Sequence, residues 1–409
     1  MDNKIAGNQS INKLSNSNTK NDVLKWLDSI HRKTKKFLDL LAEDNYKYFK
    51  YSLSGDLYNR QDNWGLAQLV FAAKVFYMLG LLEVADNKNS DLSDIILKPE
   101  QVINIANSIQ KYQDDDGYIS DPLIIRLLRS NLSFSLFNKK NNFKIEKIKR
   151  AETRQAFAAL NCLGYYPLKP FLNIPANIKE VEYFLRSFDW SHPWDAGSHF
   201  SHLLFFLSFN KKMLNFYKNN NLSEDHKNNL YKIAGKFEKA DELVQYANNW
   251  VDLLQNKNDG FWYKKNANIL EKINGAMKIL TGKEAAGINY INYHERIIDG
   301  CLSAVNDNEA CSNFNIVYVL YYCSNISDYK KQEIQEFCYN RLKIYKHYYF
   351  EDTGGFSFYK NKANDYYYGA LITKGLNEPD IHGTVLFIWG ISLISKILNL
   401  GYEFKIPIT

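Results

Sequence analysis

A short unit recurs along this chain and constrains its fold more than any other feature. Each copy has a turn rich in glycine, aspartate and aromatic residues, followed by an apolar helix that opens on a polar or small residue. The turns lie at residues 55–58, 116–118, 194–199, 259–262 and 354–358, with a degenerate copy near Cys311. Helical hairpins repeated at intervals of roughly 40 to 80 residues cannot bury their apolar faces alone, so they stack.

The composition favours one large helical domain. A chain of 409 residues would ordinarily divide into two or three domains, yet no linker rich in Pro, Gly or Ser interrupts it. Hydrophobic residues make up 45% of the chain and there are only 8 prolines, which argues against an all-β alternative. We therefore predict the all-α class, with residues 1–22 as a disordered N-terminal tail and residues 23–409 as a single domain.

Amphipathic and almost wholly apolar helical patterns alternate along the domain. The patterns predict outer helices at residues 21–41, 99–112, 178–188, 237–254, 289–305 and 328–348. They predict inner, buried helices at residues 64–82, 151–163, 198–209, 274–280, 311–322 and 383–400. This order predicts an (α/α)6 toroid, in which the inner helices all begin at one mouth of a central cavity. Helix N-termini carry partial positive charge, which favours an anionic ligand there.

Charge and targeting signals narrow the function classes. The net charge of +6 is spread over the sequence, and the basic segments at residues 32–36 and 139–150 are interpreted as solvated surface or loop, which excludes nucleic acid as a partner. The N-terminal residues lack the apolar core of a signal peptide, and no apolar run is long enough to span a bilayer. We expect a cytoplasmic, soluble protein that acts on a small-molecule or glycan substrate.

The segment at residues 189–202 is the densest polar and aromatic stretch of the chain. Asp195, His199 and His202 are its candidate catalytic residues, because two histidines three positions apart share one helical face. They could serve as acid and base, or bind a metal with a third ligand. The alternative is that they cap the helix and hydrogen-bond to neighbouring loops.

Further candidates lie at the other predicted helix starts. Asp259 and Asp380 are candidate catalytic carboxylates, and His382 is a further candidate catalytic residue. Asp380 could either orient His382 or cap the helix of His382. The candidate substrate-binding residues are Trp64, Arg154, Trp190, Trp194, Trp262 and Lys278. Aromatic side chains beside carboxylates and histidines suit the binding of a sugar ring. Two carboxylates that face each other across such a site would permit glycoside hydrolysis. A His and Tyr pair would suit proton abstraction, as in a lyase or epimerase.

The repeats resemble the terpenoid cyclase and protein prenyltransferase superfamily of α/α toroids. The resemblance is carried by turns such as Asp352-Thr353-Gly354-Gly355-Phe356-Ser357-Phe358, and by helices such as the one at residues 155–164. It covers residues 50–400 as architecture, and its motifs are more specific for the fold than for the reaction. The resemblance implies a central-cavity active site for an isoprenoid diphosphate, with a transferase, lyase or isomerase reaction. Because sugar-processing enzymes also use α/α toroids, the fold alone does not decide the function.

A metal site is a further implication of the resemblance. Asp299-Gly300-Cys301 followed by the distant His382 looks like the zinc-binding Asp-x-Cys and His of prenyltransferase catalytic subunits. Oxygen, sulfur and nitrogen ligands would leave a fourth position open on tetrahedral Zn²⁺. In that arrangement Arg296 would meet the diphosphate, and a helical partner subunit would be expected. The alternative is a hydrogen-bonded Asp299 and a buried Cys301, and the cofactor is otherwise unknown.

Three hypotheses follow for the function. The first is an enzyme of the terpenoid cyclase or prenyltransferase kind. The second is a carbohydrate-active toroid, either a glycoside hydrolase, a lyase or an epimerase. The third is a noncatalytic toroid that binds a ligand.

Overall fold

The computed structural model describes residues 17–82, 95–131, 139–219, 237–305, 307–402 and 404–407. Helices dominate this part of the chain, which agrees with the predicted all-α class. The α-helices of the described residues are α1 Ser17–Leu41, α2 Leu66–Met78, α3 Pro99–Gln110, α4 Pro122–Asn131, α5 Lys139–Cys162, α6 Ile178–Arg186, α7 Pro193–Asn219, α8 Ala240–Asp252, α9 Ile269–Ala285, α10 His294–Ser303, α11 Ala310–Ser324, α12 Lys331–Tyr345 and α13 Ile381–Ile397.

Short antiparallel strand pairs accompany the helices. They are β1 Ala42–Glu43 with β2 Tyr48–Phe49, β3 Tyr349–Phe350 with β4 Gly355–Phe356, and β5 Tyr366–Tyr367 with β6 Ala370–Leu371. Two residues per strand are too few to form a core, so the pairs only close turns between helices. None of the helices in the described ranges combines the length and apolar character needed to cross a membrane.

The predicted helices are all present, but several bounds differ. Helix α7 runs from Pro193 to Asn219 where residues 198–209 are predicted, and α9 runs from Ile269 to Ala285 where residues 274–280 are predicted. Helix α5 begins at Lys139, well before the predicted start at residue 151, and includes the basic segment that was interpreted as solvated surface or loop. Helix α4 was not predicted, although Asp121 accepts hydrogen bonds from the backbone N–H groups of Leu123 and Ile124 and Pro122 occupies the first helical position. A capping aspartate followed by proline is a readable start signal.

The described residues form two compact units. Unit 1 contains residues 17–109, 121–131 and 305–407, and α13 packs there against α2, α11 and α12. Unit 2 contains residues 110–120 and 139–304, and α7 packs there against α5, α8 and α9. Residues 17–22 of the predicted tail belong to α1, and residues 1–16 lie outside the described ranges. The closed ring of six hairpins stays a prediction.

Two of the helices predicted to be inner, α2 and α13, are apolar and buried on almost all sides. In α2 every residue except Tyr77 is buried, as the sequence from Trp64 to Leu82 predicts, because Lys74 is its single charged residue. Helix α13 has the same character, with a buried run from Gly383 to Val385 and another from Phe387 to Ser395. By contrast, the outer helix α1 buries one stripe, including Leu27, Ile30, Phe37, Leu38 and Leu41.

Within unit 2, two copies of the recurring turn have the same construction. An antiparallel bridge closes each turn, Gln113 with Ile119 in one and Gln255 with Trp262 in the other. The glutamine side chain of each bridge donates to a glycine carbonyl of its own turn, Gly117 or Gly260, at 3.1 and 2.8 Å. Both glycines have positive φ, and a Cβ atom would come within 2.4 Å of Pro170 O at Gly117 and 2.7 Å of Tyr293 O at Gly260. These two glycine-aromatic turns are therefore structural. The prediction of a turn at residues 194–199 is wrong, because these residues lie within the first turns of α7.

A threonine on the following helix fixes such a turn in each unit. In unit 2, Thr153 Oγ1 accepts from Ile119 N at 3.0 Å and donates to Lys149 O at 2.7 Å. In unit 1, Thr384 Oγ1 accepts from the N–H of β4 Phe356 at 2.9 Å and donates to Asp380 O at 2.7 Å. In both units, a threonine hydroxyl thus joins the helix to the backbone of the preceding turn region. The similarity agrees with the repeat seen in the sequence.

Candidate functional site

Unit 2 contains a cluster of mostly ionisable side chains, with one phenylalanine and one serine, that we call the His199 site. Its members are Lys147, Arg150 and Arg154 from α5, the loop residue Phe188, Asp195, Ser198, His199 and His202 from α7, and Lys278 from α9. On α5 the three cations are spaced by three and four residues, so they share one helical face. Helix α5 packs against α7, and this packing brings the cations to the histidines.

Helix packing places Lys278 beside α7. Gly197 and Gly275 lie where α7 and α9 cross, and a Cβ atom at Gly197 would come within 2.9 Å of Gly275 O. The same atom would lie 3.4 Å from Lys278 Cβ. Because neither glycine has a side chain, the two helices approach closely. The charge of Lys278 consequently acts on His202 of α7.

The Asp195 carboxylate lies between a lysine and a histidine. Its Oδ2 accepts from Lys147 Nζ at 2.6 Å, and its Oδ1 lies 3.7 Å from His199 Nε2. Partial burial would raise the pKa of Asp195, but the interactions with His199 and Lys147 outweigh it and lower the pKa to about 2. Asp195 is therefore ionised at neutral pH, although its side chain is half-exposed.

His199 is held rigidly by packing. Its ring stacks on Phe188 with 4.2 Å between the centroids and 7° between the planes, and only 2% of the residue is exposed. Its Nδ1 has no hydrogen-bond partner among the described residues. Burial lowers the pKa of His199, Asp195 opposes this shift, and the nearby charges of Lys147 and Arg150 reinforce it. His199 is therefore neutral at neutral pH and has one unused ring nitrogen.

His202 lies one turn further along α7, and it is only 4% exposed. Its Nε2 lies 3.4 Å from Ser198 Oγ, while its Nδ1 has no hydrogen-bond partner within the described ranges. Burial lowers the pKa of His202 well below the ordinary value, and the charges of Arg154, Arg150 and Lys278 lower it further, as does His199 when it is protonated. A second neutral imidazole therefore sits within the field of three permanent cations.

The site can bind an anion next to a proton acceptor. Lys147 and Arg150 act on His199, and Arg150, Arg154 and Lys278 act on His202, while Asp195 pairs with Lys147. Glu146 lies close enough to Arg150 to act on its charge. Aromatic rings adjoin the cations: Arg150 lies 5.3 Å from the Phe184 centroid and Arg154 lies 5.4 Å from the Phe205 centroid. The structure thus brings together five of the predicted site residues: Arg154, Asp195, His199, His202 and Lys278.

Lys147 and Arg150 are functional candidates that the sequence analysis missed. They were included in a basic segment interpreted as solvated surface or loop, whereas they lie on the face of α5 that meets α7. The signal was present as the spacing of Phe143, Lys147, Arg150 and Arg154, which places one aromatic ring and three cations on a single helical stripe. Only a longer α5 makes that spacing meaningful.

The other predicted histidine, His382, lies in unit 1 and is more fully engaged. Its Nδ1 is 2.9 Å from Tyr51 Oη, and Asn364 Nδ2 donates to that same hydroxyl at 2.9 Å. The ring of His382 stacks on Phe71 with 4.6 Å between the centroids. The structure therefore contains a His and Tyr pair, the kind of pair that suits proton abstraction, but burial raises the pKa of Tyr51 well above the ordinary value.

Asp380 acts as the N-cap of α13. Its Oδ1 accepts from Gly383 N at 2.7 Å, and its Oδ2 accepts from Phe358 N and Asn364 N at 2.7 and 3.0 Å. Burial raises the pKa of Asp380 to about 7 against these hydrogen bonds. Of the two roles predicted for Asp380, the structure shows capping, and Tyr51 contacts the imidazole.

The remaining predicted residues are dispersed. Asp259 pairs with Lys272 at 2.8 Å and accepts from Phe261 N within its own turn. Arg296 donates to Asn258 O at 3.1 Å. The indole rings of Trp64, Trp190 and Trp262 are buried, and their N–H groups donate to Asp56, Leu185 O and Asp252 respectively, so these three rings pack inside the protein and form no open stacking surface. Trp194 is half-buried in the first turn of α7.

The predicted zinc ligands are not gathered into one group. Asp299 and Cys301 lie on α10 in unit 2, where Cys301 is fully buried, and His382 lies on α13 in unit 1. The part of the chain that the structure describes contains no group of three or more His, Cys, Asp and Glu residues that could hold a metal ion. Asp299 and Cys301 thus occupy an outer helix, as the helical pattern of residues 289–305 indicates.

Comparisons with known proteins do not identify the chain. No family model matches the sequence, and no curated protein or solved structure matches it. The chemistry of the His199 site therefore has to be argued from its own residues.

Proposed function

We propose that this chain is an enzyme acting on an isoprenoid diphosphate, and that the reaction takes place at the His199 site. One observation carries the proposal: four cations act on two buried, neutral histidines, one of which faces a carboxylate. A diphosphate needs several positive charges, and a departing diphosphate leaves a carbocation, which a nearby base can convert to an alkene by taking a proton. The resemblance of the repeats to terpenoid cyclases and prenyltransferases adds the substrate class.

The residues divide the proposed reaction between them. Arg150, Arg154 and Lys278 hold the diphosphate, and their charge stabilises it as the carbon–oxygen bond breaks and the oxygen keeps the electron pair. The allylic carbocation then loses a proton to the unused nitrogen of His199, which leaves a carbon–carbon double bond. The phenyl rings beside the cations would contact the isoprenoid chain.

Ligand binding to the purified protein tests this function. Calorimetric titrations would use inorganic diphosphate, isoprenoid diphosphates of increasing chain length and a uronate oligosaccharide. We expect diphosphate to bind, and the isoprenoid diphosphates to bind more tightly because the chain buries apolar surface. Arg154→Gln and Lys278→Gln should each weaken diphosphate binding by about tenfold or more, since each removes a charge-assisted hydrogen bond.

A matched control lies in the same unit. Lys169 pairs with the exposed Asp115 at 2.7 Å and is not part of the His199 site. Lys169→Gln should leave diphosphate affinity unchanged, and circular dichroism would confirm that the Arg154 variant retains its helices. Equal loss in the control, or no binding of any diphosphate, would overturn the proposal. Tighter binding of the uronate ligand would instead support the carbohydrate-active alternative.

A further inference from the structure

Lys147, Asp195 and His199 form a row of contacts in which Asp195 lies between the other two residues. The two carboxylate oxygens of Asp195 have different partners: Oδ2 accepts from Lys147 at 2.6 Å, and Oδ1 lies 3.7 Å from His199 Nε2. This row of contacts crosses between two helices, because Lys147 is on α5 and the other two residues are on α7. Asp195 and His199 are four residues apart, so the α7 backbone sets their separation.

Aromatic rings pack against Lys147 and His199, the two outer residues of this row of contacts. Phe188 stacks on the His199 ring at 4.2 Å, and Lys147 Nζ lies 5.9 Å from the centroid of the same Phe188 ring. Phe143 supports Lys147 from within α5, with 4.8 Å between Nζ and its ring centroid. Lys147 and His199 therefore contact the same carboxylate and the same phenyl ring. A substitution of Lys147 is expected to change the position and the protonation of the His199 ring.

We propose that Lys147 is a positioning residue that holds the Asp195 carboxylate against His199 Nε2 and thereby leaves Nδ1 as the proton acceptor of the site. A nitrogen that faces an ionised carboxylate carries the hydrogen, so Nε2 is the N–H and Nδ1 carries the lone pair. Nδ1 is also the ring atom without a hydrogen-bond partner among the described residues. The inference rests on the proposed function only for the identity of the substrate.

Lys147 has a second effect through its charge. The groups that face His199 are Asp195 and His202 on its own helix and Lys147 and Arg150 on α5. An unneutralised Asp195 would favour imidazolium, and a protonated histidine cannot accept a proton. By pairing with Asp195, Lys147 keeps His199 in the neutral form that general-base chemistry requires.

Nitrogen NMR of the full-length, ¹⁵N-histidine-labelled protein tests the inference without any substrate. The two ring nitrogens of a neutral histidine have distinct shifts, and His199→Gln identifies the signals by their loss. In the unsubstituted protein we expect the Nε2–H tautomer at His199. In Lys147→Met the titration of His199 should move to higher pH, and in Asp195→Asn it should move to lower pH and the tautomer should become mixed.

Lys149→Met is the matched control. Lys149 is two residues from Lys147 on α5, but it pairs with Asp114 at 3.0 Å and lies 4.0 Å from the Tyr118 ring centroid. This variant should leave the titration of His199 unchanged. An Nδ1–H tautomer in the unsubstituted protein, or equal titrations in Lys147→Met and the unsubstituted protein, would overturn the inference. Because the readout involves no ligand, diphosphate binding can fail while this inference stands, and the reverse also holds.

Discussion

Two histidines of this protein show how surroundings decide what a side chain can do. His199 and His382 both stack on a phenyl ring, at 4.2 and 4.6 Å between centroids. In unit 1, Tyr51 and Asn364 supply hydrogen-bonding groups to Nδ1 of His382. In unit 2, Nδ1 of His199 has no such partner among the described residues, and cations replace the neutral donors. A buried nitrogen that lacks a hydrogen-bond partner lowers the stability of the fold. Such a nitrogen is therefore a candidate for a functional role.

The buried carboxyl group of Asp380 is expected to make the free energy of unfolding depend on pH. Its pKa is raised by burial to about 7, whereas the unfolded chain has the ordinary value of 3.8. Between these values the folded chain keeps a proton that the unfolded chain has released, so the free energy of unfolding falls as pH rises. The linkage amounts to about 4 kcal/mol over the whole range.

Urea unfolding at about pH 4 and about pH 8 would measure this effect, with Asp380→Asn as the comparison. Asparagine has no proton to titrate, so the variant should lose most of the decline with pH. Asp121, whose pKa burial raises to about 6, is unchanged in both proteins and should leave a smaller decline. Identical pH profiles for the two proteins would show that Asp380 is ionised throughout.

At the scale of elements, the contact between α7 and α9 positions the His199 site. Gly275 faces Pro193 at the start of α7, and a Cβ atom there would come within 2.7 Å of Pro193 Cβ and 2.8 Å of its carbonyl carbon. Gly282 faces Ser201 in the same way, with 2.7 Å from the added atom to Ser201 Cα. Backbone atoms cannot move aside as a flexible side chain can, so both glycines set the distance between the helices.

Gly275→Ala is therefore expected to destabilise unit 2 by about 1 to 3 kcal/mol, as overpacking does. The sign is informative, because the same substitution in an uncrowded helix interior stabilises by up to about 1 kcal/mol. Chemical unfolding would measure the change, and diphosphate affinity should fall with it, because α9 carries Lys278. A more stable variant would mean that the helices are further apart than the structure shows.

At the scale of the molecule, the two units use the chain differently. The described part of unit 2 is interrupted only by residues 121–131, which belong to unit 1. Unit 1 is assembled from segments near both ends of the chain: Ile381 N donates to Tyr51 O at 2.9 Å, and α13 packs on α2. Unit 1 therefore needs its last segment to bury its first one.

A chain that ends at residue 304 tests this dependence. It lacks α11, α12 and α13, so α2 loses α13, which packs on it, and the apolar surface under α13 should become exposed. Hydrogen exchange should accelerate in α2 while α7 and α9 keep their protection. Adding the segment 305–409 as a separate chain should restore slow exchange in α2. Slow exchange in α2 without that segment would contradict the assignment of these residues to one unit.

The amino-acid sequence by itself determined the helices and much of the site. Local periodicity marks helical faces, and twelve predicted segments coincide with helices, because the burial of an apolar stripe is encoded by spacing alone. Asp195, His199 and His202 could be selected because they occupy a single helix. Local signals also anticipated that Asp380 could cap α13, since capping depends on only three or four consecutive residues.

Only the tertiary structure decided which residues meet across helices. It brought Lys147 and Arg150 to the histidines, enclosed three tryptophans that had been expected as binding surfaces, and paired His382 with Tyr51. These outcomes depend on contacts between residues far apart in sequence, where the close approach of α7 and α9 and the full length of α5 set the geometry. Charge, burial and the protonation of His199 follow from that geometry, because each depends on what surrounds a side chain and not on its neighbours along the chain.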